Sequence, residues 1–295
     1  MFRTQVSAKC ILAGEHYIVH GGTAIVFPFN HYTLTLSHQP AAIKSMRTIS
    51  GEGGNSLGIM LWPVICKAYE YLDLNPYQLT GYFEINSTII PCGGLGFSAA
   101  ICVAVTQWLI YQKLIPASDL FQFARRLEDM FHKKSSGIDI LGVLAKNMIH
   151  YTAEGEVVPL ETNWRPNLYI SSSGEQSFTE PCVNKVNEFL RNEPQKAEQV
   201  FKKMADSVEL IKKALECNSA EQGHELLAEG LHLGNQCFYD WDLVSDKLHT
   251  HLEILKKHAC AAKVVGAGFG GHVVSLWKQK PPENLPFKLY PLLNE

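Results

Sequence analysis

A run of glycines stands directly before an apolar stretch at Pro91-Cys92-Gly93-Gly94-Leu95-Gly96-Phe97-Ser98-Ala99-Ala100. Glycine lets the backbone approach a ligand closely, and Ser98 to Tyr111 reads as a buried helix whose first N–H groups point back at that loop. A helix N-terminus behind a glycine loop is suited to phosphate. Phe97, Ser98 and Ala99 follow Gly96 where a Walker A motif needs Gly-Lys-Ser/Thr, so this is not a P-loop NTPase. A second run, Gly266-Ala267-Gly268-Phe269-Gly270-Gly271, matches G-x-G-x-x-G. There, however, His272 to Trp277 reads as a strand where a dinucleotide fingerprint needs a helix. Taken alone, either run also fits a tight turn between packed elements.

Four further positions could carry chemistry. Lys9 is flanked by Ala8, Cys10, Ile11 and Leu12, so burying it demands a partner, for which a structural salt bridge would suffice. Asp139 follows Ser135-Ser136-Gly137-Ile138 and precedes the apolar Ile140 to Leu144, which puts it near a helix start, where an aspartate also complements the dipole. Glu128 lies eleven residues earlier, beside Asp129, on a helix expected to end near His132; such a pair reads equally as a solvated face. Glu15 and His16 follow Gly14 at the end of the first strand, and a lone histidine is commonly just hydrogen-bonded.

Three of these features lie in two longer segments, Ala8-Lys9-Cys10-Ile11-Leu12-Ala13-Gly14-Glu15-His16-Tyr17-Ile18-Val19-His20-Gly21-Gly22 and Ser135-Ser136-Gly137-Ile138-Asp139. With the two glycine runs, in this order and at these separations, they resemble the GHMP kinases, a superfamily of small-molecule kinases. The Gly-Glu-His-x-x-Val-His-Gly segment is most similar to the mevalonate kinase group, and the resemblance runs from about Val6 to about Leu276. It implies an α+β chain of two domains, a mixed α/β N-terminal one and a helix-rich α+β C-terminal one. It also implies transfer of the γ-phosphoryl group of ATP to the primary alcohol of (R)-mevalonate, in isoprenoid precursor synthesis.

By that resemblance Cys92, Gly93, Gly94, Leu95, Gly96, Phe97, Ser98 and Ala99 cradle the nucleotide phosphates, and Ser98 and Glu128 hold Mg2+, which takes hard oxygen ligands and keeps several waters. Asp139 is then the general base on the acceptor alcohol, Lys9 its partner, and Glu15 and His16 the acceptor contacts. Two departures stand out. Phe97 replaces the first serine of Gly-Leu-Gly-Ser-Ser, and Ser7-Ala8 replace the proline and glycine that usually precede the lysine. Rival readings are another member acting on a phosphomevalonate or sugar-type alcohol, and a non-catalytic sensor on the same fold, suggested by Phe97. Lys9, Ser98, Glu128 and Asp139 together argue against the sensor.

At 295 residues and 46% hydrophobic the chain can fill two cores. A formal charge of −3 without a basic block argues against nucleic acid. Eight scattered cysteines without a C-x-x-C pair suggest neither zinc nor a redox motif, and fit a reduced cytoplasmic protein. The longest apolar run, Ala99 to Ile110, is too short to cross a bilayer, and no signal peptide is evident. Pairing of two copies is left open.

Strands are expected at Arg3 to Leu12 and Thr23 to Ser37, joined by a Gly21-Gly22 turn, and again at Leu79 to Asn86, Met148 to Thr152, Glu156 to Leu160 and Leu168 to Ser172. Helices are expected at Leu57 to Leu72, Ala99 to Gln112 and Ser118 to His132. The proline-bearing Asn163 to Pro166 divides domains 1–165 and 166–295. Beyond it come an amphipathic helix with the stripe Phe201, Met204, Val208, Ile211 and Leu215, a second one capped by Ser219 with Gln222, a third over 242–258, and strands at Ala261 to Val265 and Gly271 to Trp277.

Overall fold

The computed structural model describes residues 1–42, 44–48, 56–131, 135–152 and 154–293. The chain gathers into two compact units, each drawn from several stretches. Met1–Lys9, Asn30–Pro91 and Gly96–Leu144 form the first, and Cys10–Phe29, Cys92–Leu95 and Ala145–Glu295 the second. The architecture is a mixed sheet-and-helix N-terminal part followed by a helix-rich C-terminal part.

Two long strands, β1 (Phe2–Ala13) and β2 (Ala24–Gln39), pair with each other and pass through both units. In the first unit, β2 carries on its far half an antiparallel partner, β4 (Gly81–Ser87), with Leu36 opposite Ile85. The short β3 (Lys44–Thr48) lies parallel to β4. Helices α1 (Ser56–Tyr71), α2 (Phe97–Tyr111), α3 (Leu120–Glu128) and α4 (Ile138–Leu144) pack together, with α2 at the centre. Sequence explains that centrality: α2 reads Phe-Ser-Ala-Ala-Ile-Cys-Val-Ala-Val, apolar on every side, and a helix apolar all round must be enclosed. Ile101, Cys102, Val103, Ala104, Val105, Trp108 and Leu109 are fully buried.

In the second unit the near half of β2 pairs with β5 (Ile149–Tyr151), which pairs with β6 (Val157–Pro159). A separate antiparallel sheet has the order β10-β7-β9-β8, built from β7 (Asn167–Ser172), β8 (Ala261–Val265), β9 (His272–Trp277) and β10 (Tyr290–Pro291). Helices α5 (Thr179–Asn192), α6 (Pro194–Glu216), α7 (Ala220–Asp240) and α8 (Asp246–Lys256) accompany it, α6 against α7 and both α7 and α8 against β8. Met204, Phe238, Trp241, Leu252, Val264 and Val273 belong to its core.

Most expected elements stand within two or three residues of their expected ends, and the differences have local causes. A 3₁₀ turn at Tyr17–His20, closed by Gly21 at φ 84°, precedes the expected Gly21-Gly22 turn. Helix α8 starts at Asp246 rather than 242, because the Ser245 hydroxyl caps it by accepting from the Leu248 N–H at 3.1 Å. Helix α3 ends at Glu128; His132, the expected end, lies outside the described residues. Among the described residues, no helix is long and apolar enough to cross a membrane.

Candidate active site

In the first unit, β1 delivers Lys9 from a row of apolar neighbours, and the first turn of α4 delivers Asp139. The Lys9 Nζ lies 2.5 Å from the Asp139 Oδ1, with the lysine side chain 3% exposed and the aspartate 28%. Burying an ammonium demands such a partner, and Asp139 still keeps one open side. The lysine reaches over the glycine loop because Gly96 has no side chain: a Cβ there would sit 2.9 Å from the Lys9 Cγ and 3.0 Å from its Cε. Gly96 also stands at φ 80°, a left-handed conformation that favours glycine.

Helix α2 begins at Phe97 with Gly96 at its N-cap, which has no side chain to satisfy the first N–H groups. Phe97 itself is buried, and Ser98 and Ala99 lie in that first turn. Helix α3, packed against α2, ends at Glu128, which is fully buried. The Glu128 Oε2 accepts from the Ser135 hydroxyl at 2.5 Å, whereas its Oε1 is enclosed without a hydrogen-bond partner among the described residues. Burial, and then the charge of Asp139, push this carboxyl up to about 8; the Ser135 bond and Lys9 oppose them. The segment from Ser135 is tied to α3 by its N–H donating to the Asp129 Oδ1 at 2.8 Å and by Arg125 donating to the Ser135 carbonyl at 3.2 Å. The Ser135 hydroxyl also accepts from the Gly137 N–H at 3.0 Å, where the chain turns into α4.

In the second unit, Cys92 to Leu95 rest on the second glycine run. A Cβ on Gly266 would come within 2.8 Å of the Gly94 Cα, so only glycine allows this approach. The Cys92 carbonyl accepts from the Ser177 N–H at 2.6 Å, and the Gly93 carbonyl from the His272 Nδ1 at 2.7 Å.

At the end of β1, Glu15 and His16 are both buried. The Lys263 Nζ meets the Glu15 Oε1 at 2.5 Å, with side-chain exposures of 0% and 2%, and also donates to the Val264 carbonyl at 2.8 Å. His16 adopts φ 58°, uncommon for a side-chain-bearing residue, and such strain persists only where the surroundings impose it. Here its Nε2 lies 2.9 Å from the Ala267 carbonyl and its ring meets Trp241 edge-on at 5.2 Å. A carbonyl can only accept, so Nε2 carries the proton. Burial lowers the His16 pKa to about 4, which keeps the ring neutral with Nδ1 as an acceptor.

Residues 63–146 match the family model of the GHMP kinases N terminal domain. Over 281 residues the chain is 25% identical to mevalonate kinase of Archaeoglobus fulgidus, spanning 93% of this chain and 92% of that one. It is 23% identical over 349 residues to mevalonate kinase of Arabidopsis thaliana, at 93% and 90%. Along nearly its whole length the chain is thus similar to GHMP kinases, and in particular to mevalonate kinases. That likeness supports small-molecule phosphotransfer as its class of activity. The chain shares the fold of L. major mevalonate kinase, solved in complex with R-mevalonate, with a TM-score of 0.76 at 21% identity over 95% of this chain and 88% of that one.

Within the first unit the structure thus brings Lys9 and Asp139 into contact and sets Glu128 beside them. Within the second it joins Cys92–Leu95 to the Gly266 run, and Glu15 to Lys263. Sequence reasoning missed Lys263, although Ala261-Ala262-Lys263-Val264-Val265 presents the same signal as the Lys9 strand, a lysine walled by apolar neighbours. It also missed His272, the first residue of a strand read only as evidence against a dinucleotide fingerprint.

Proposed function

We propose that this protein transfers the γ-phosphoryl group of ATP to the primary alcohol of (R)-mevalonate. The observation that carries the phosphoryl-transfer chemistry is the Lys9–Asp139 pair, a buried ammonium holding a carboxylate that keeps one side open. An alcohol is a poor acid, so its proton passes to Asp139 only as the new P–O bond forms. Lys9 holds that carboxylate in place and offsets negative charge gathering nearby.

The cradle for the nucleotide is Cys92 to Ala99, where left-handed glycines and the uncapped start of α2 present backbone amides. For Mg2+ the donor set fits. Glu128 Oε1 is a buried hard oxygen without a hydrogen-bond partner among the described residues, and Ser98 supplies a hydroxyl. Among the described residues no cluster of three His, Cys, Asp or Glu could hold a metal, which suits an ion that also takes phosphate and water ligands. When bound there, Mg2+ neutralises phosphate charge.

The acceptor assignment rests on the Glu15-His16 segment and on likeness to mevalonate kinases along most of the chain. His16 offers Nδ1 as an acceptor for a substrate hydroxyl. Lys263 balances the Glu15 charge, which spares an anionic acceptor the repulsion of a bare carboxylate.

ADP release measured with mevalonate, phosphomevalonate, homoserine and galactose tests the reading, with turnover expected on mevalonate. Turnover on a sugar alone would overturn the acceptor assignment and leave the phosphotransferase standing. His16→Ala should raise KM for mevalonate while KM for ATP stays nearly constant.

A further inference from the structure

The carbonyls of two successive loop residues, Cys92 and Gly93, are held from behind within the second unit. Ser177 grips the first through its backbone N–H at 2.6 Å, and His272 the second through its side chain at 2.7 Å. In a trans peptide the C=O and the following N–H point in opposite directions. Fixing these carbonyls therefore fixes the peptide planes 92–93 and 93–94 and turns the Gly93 and Gly94 N–H bonds to the side away from His272 and Ser177.

His272 suits this task. Its ring is buried, and because a carbonyl only accepts, Nδ1 carries the proton. The backbone behind it is pinned as well. Gly271 donates to the Glu175 carbonyl at 2.9 Å and accepts from the Ser173 N–H and hydroxyl at 2.9 Å each. A Cβ on Gly271 would lie 2.9 Å from the Gly93 carbonyl oxygen, so the loop and the start of β9 sit in direct contact. Ser177 is anchored in turn by its hydroxyl donating to the Gly268 carbonyl at 2.6 Å.

We propose that His272 is a positioning residue for the nucleotide loop, its Nδ1–H clamping the Gly93 carbonyl so that the loop amides stay aimed at phosphate. This rests on the reading that Cys92 to Ala99 cradle the nucleotide. Without the clamp the 93–94 peptide is free to flip and present a carbonyl to an anion, which repels it.

The test compares His272→Leu, which lacks a donor, with His272→Asn, whose amide nitrogen occupies nearly the place of Nδ1. Steady-state kinetics and hydrogen exchange of the wild-type loop amides with and without Mg·ADP are the readouts. Slowed exchange at 93–100 is expected on adding Mg·ADP. His272→Leu should raise KM for ATP about tenfold, with KM for mevalonate within about twofold, and His272→Asn should recover most of the loss. If exchange slows but His272→Leu binds ATP normally, or both variants lose equally, His272 is merely structural and the proposal fails while the loop reading survives. If Mg·ADP leaves loop exchange unchanged, the loop reading fails and the proposal falls with it. Should His272→Leu not fold, His272→Gln replaces it: its amide sits one bond too far, and KM for ATP equal to that of His272→Asn overturns the proposal.

Discussion

Two lysine–carboxylate pairs of the same length, one in each unit, differ in their access to solvent. Lys9–Asp139 and Lys263–Glu15 both measure 2.5 Å, and both lysines are buried. The carboxylates differ: Asp139 is 28% exposed, Glu15 only 2%. A group that exchanges a proton with a substrate needs an open face, whereas an enclosed pair mainly neutralises itself and sets geometry. Accessibility of the acid, more than the strength of the pair, separates a chemical site from a strut.

The largest expected effect breaks the enclosed pair. Lys263→Met leaves Glu15 buried without its ammonium and should cost about 3–5 kcal/mol of stability in denaturant unfolding, part of it recovered by adding Glu15→Gln. A loss no larger than that from Lys9→Met would erase the distinction between the pairs.

Acid probes the same segment by titration. His16 is held near pKa 4 by burial, against about 6.5 when unfolded. Between those values the unfolded chain binds the extra proton, so stability falls as pH drops from about 6.5 to about 4, by roughly 3 kcal/mol from this residue. His251, also lowered to about 4 by burial, adds to the slope. Unfolding at pH 7, 5 and 4 should give a flatter profile for His16→Ala, and an equal slope would mean that His16 is solvated.

The open pair answers in rate. Asp139→Asn should lower kcat about 10²-fold or more, with folding stability within about 1 kcal/mol of wild type. Near-normal turnover would make Lys9–Asp139 a strut as well. Smaller still, Glu128→Gln should raise the magnesium needed for half-maximal turnover about tenfold with the fold intact. An unchanged requirement would detach Glu128 from the metal.

Much of this was legible in the chain. The enclosed α2 and the stripe of α6 follow from residue periodicity, and Lys9 declared itself by its apolar company. Burial of Glu128 was not legible, because a Glu-Asp pair at a helix end reads as solvated until Ser135 is folded onto it. Strand β3 and helix α5 escaped for a related reason. Lys-Ser-Met-Arg-Thr has no strand alternation and becomes a strand by pairing with β4. Thr179–Asn192 opens with Glu-Pro and buries little beyond Cys182 and Val186. Lys263 stands in the same apolar company as Lys9 and could have been found by it; what no local pattern names is its partner, Glu15.

That distance shapes how the protein is made. Glu15 and Lys263 are separated by 248 positions. On a ribosome the carboxylate emerges among the first residues, and its counter-ion is one of the last to arrive. Until then Glu15 lacks the ammonium that offsets its burial, which favours keeping that carboxylate in water on the growing chain. The second unit is thereby a late event in synthesis, sealed only when β8 reaches it.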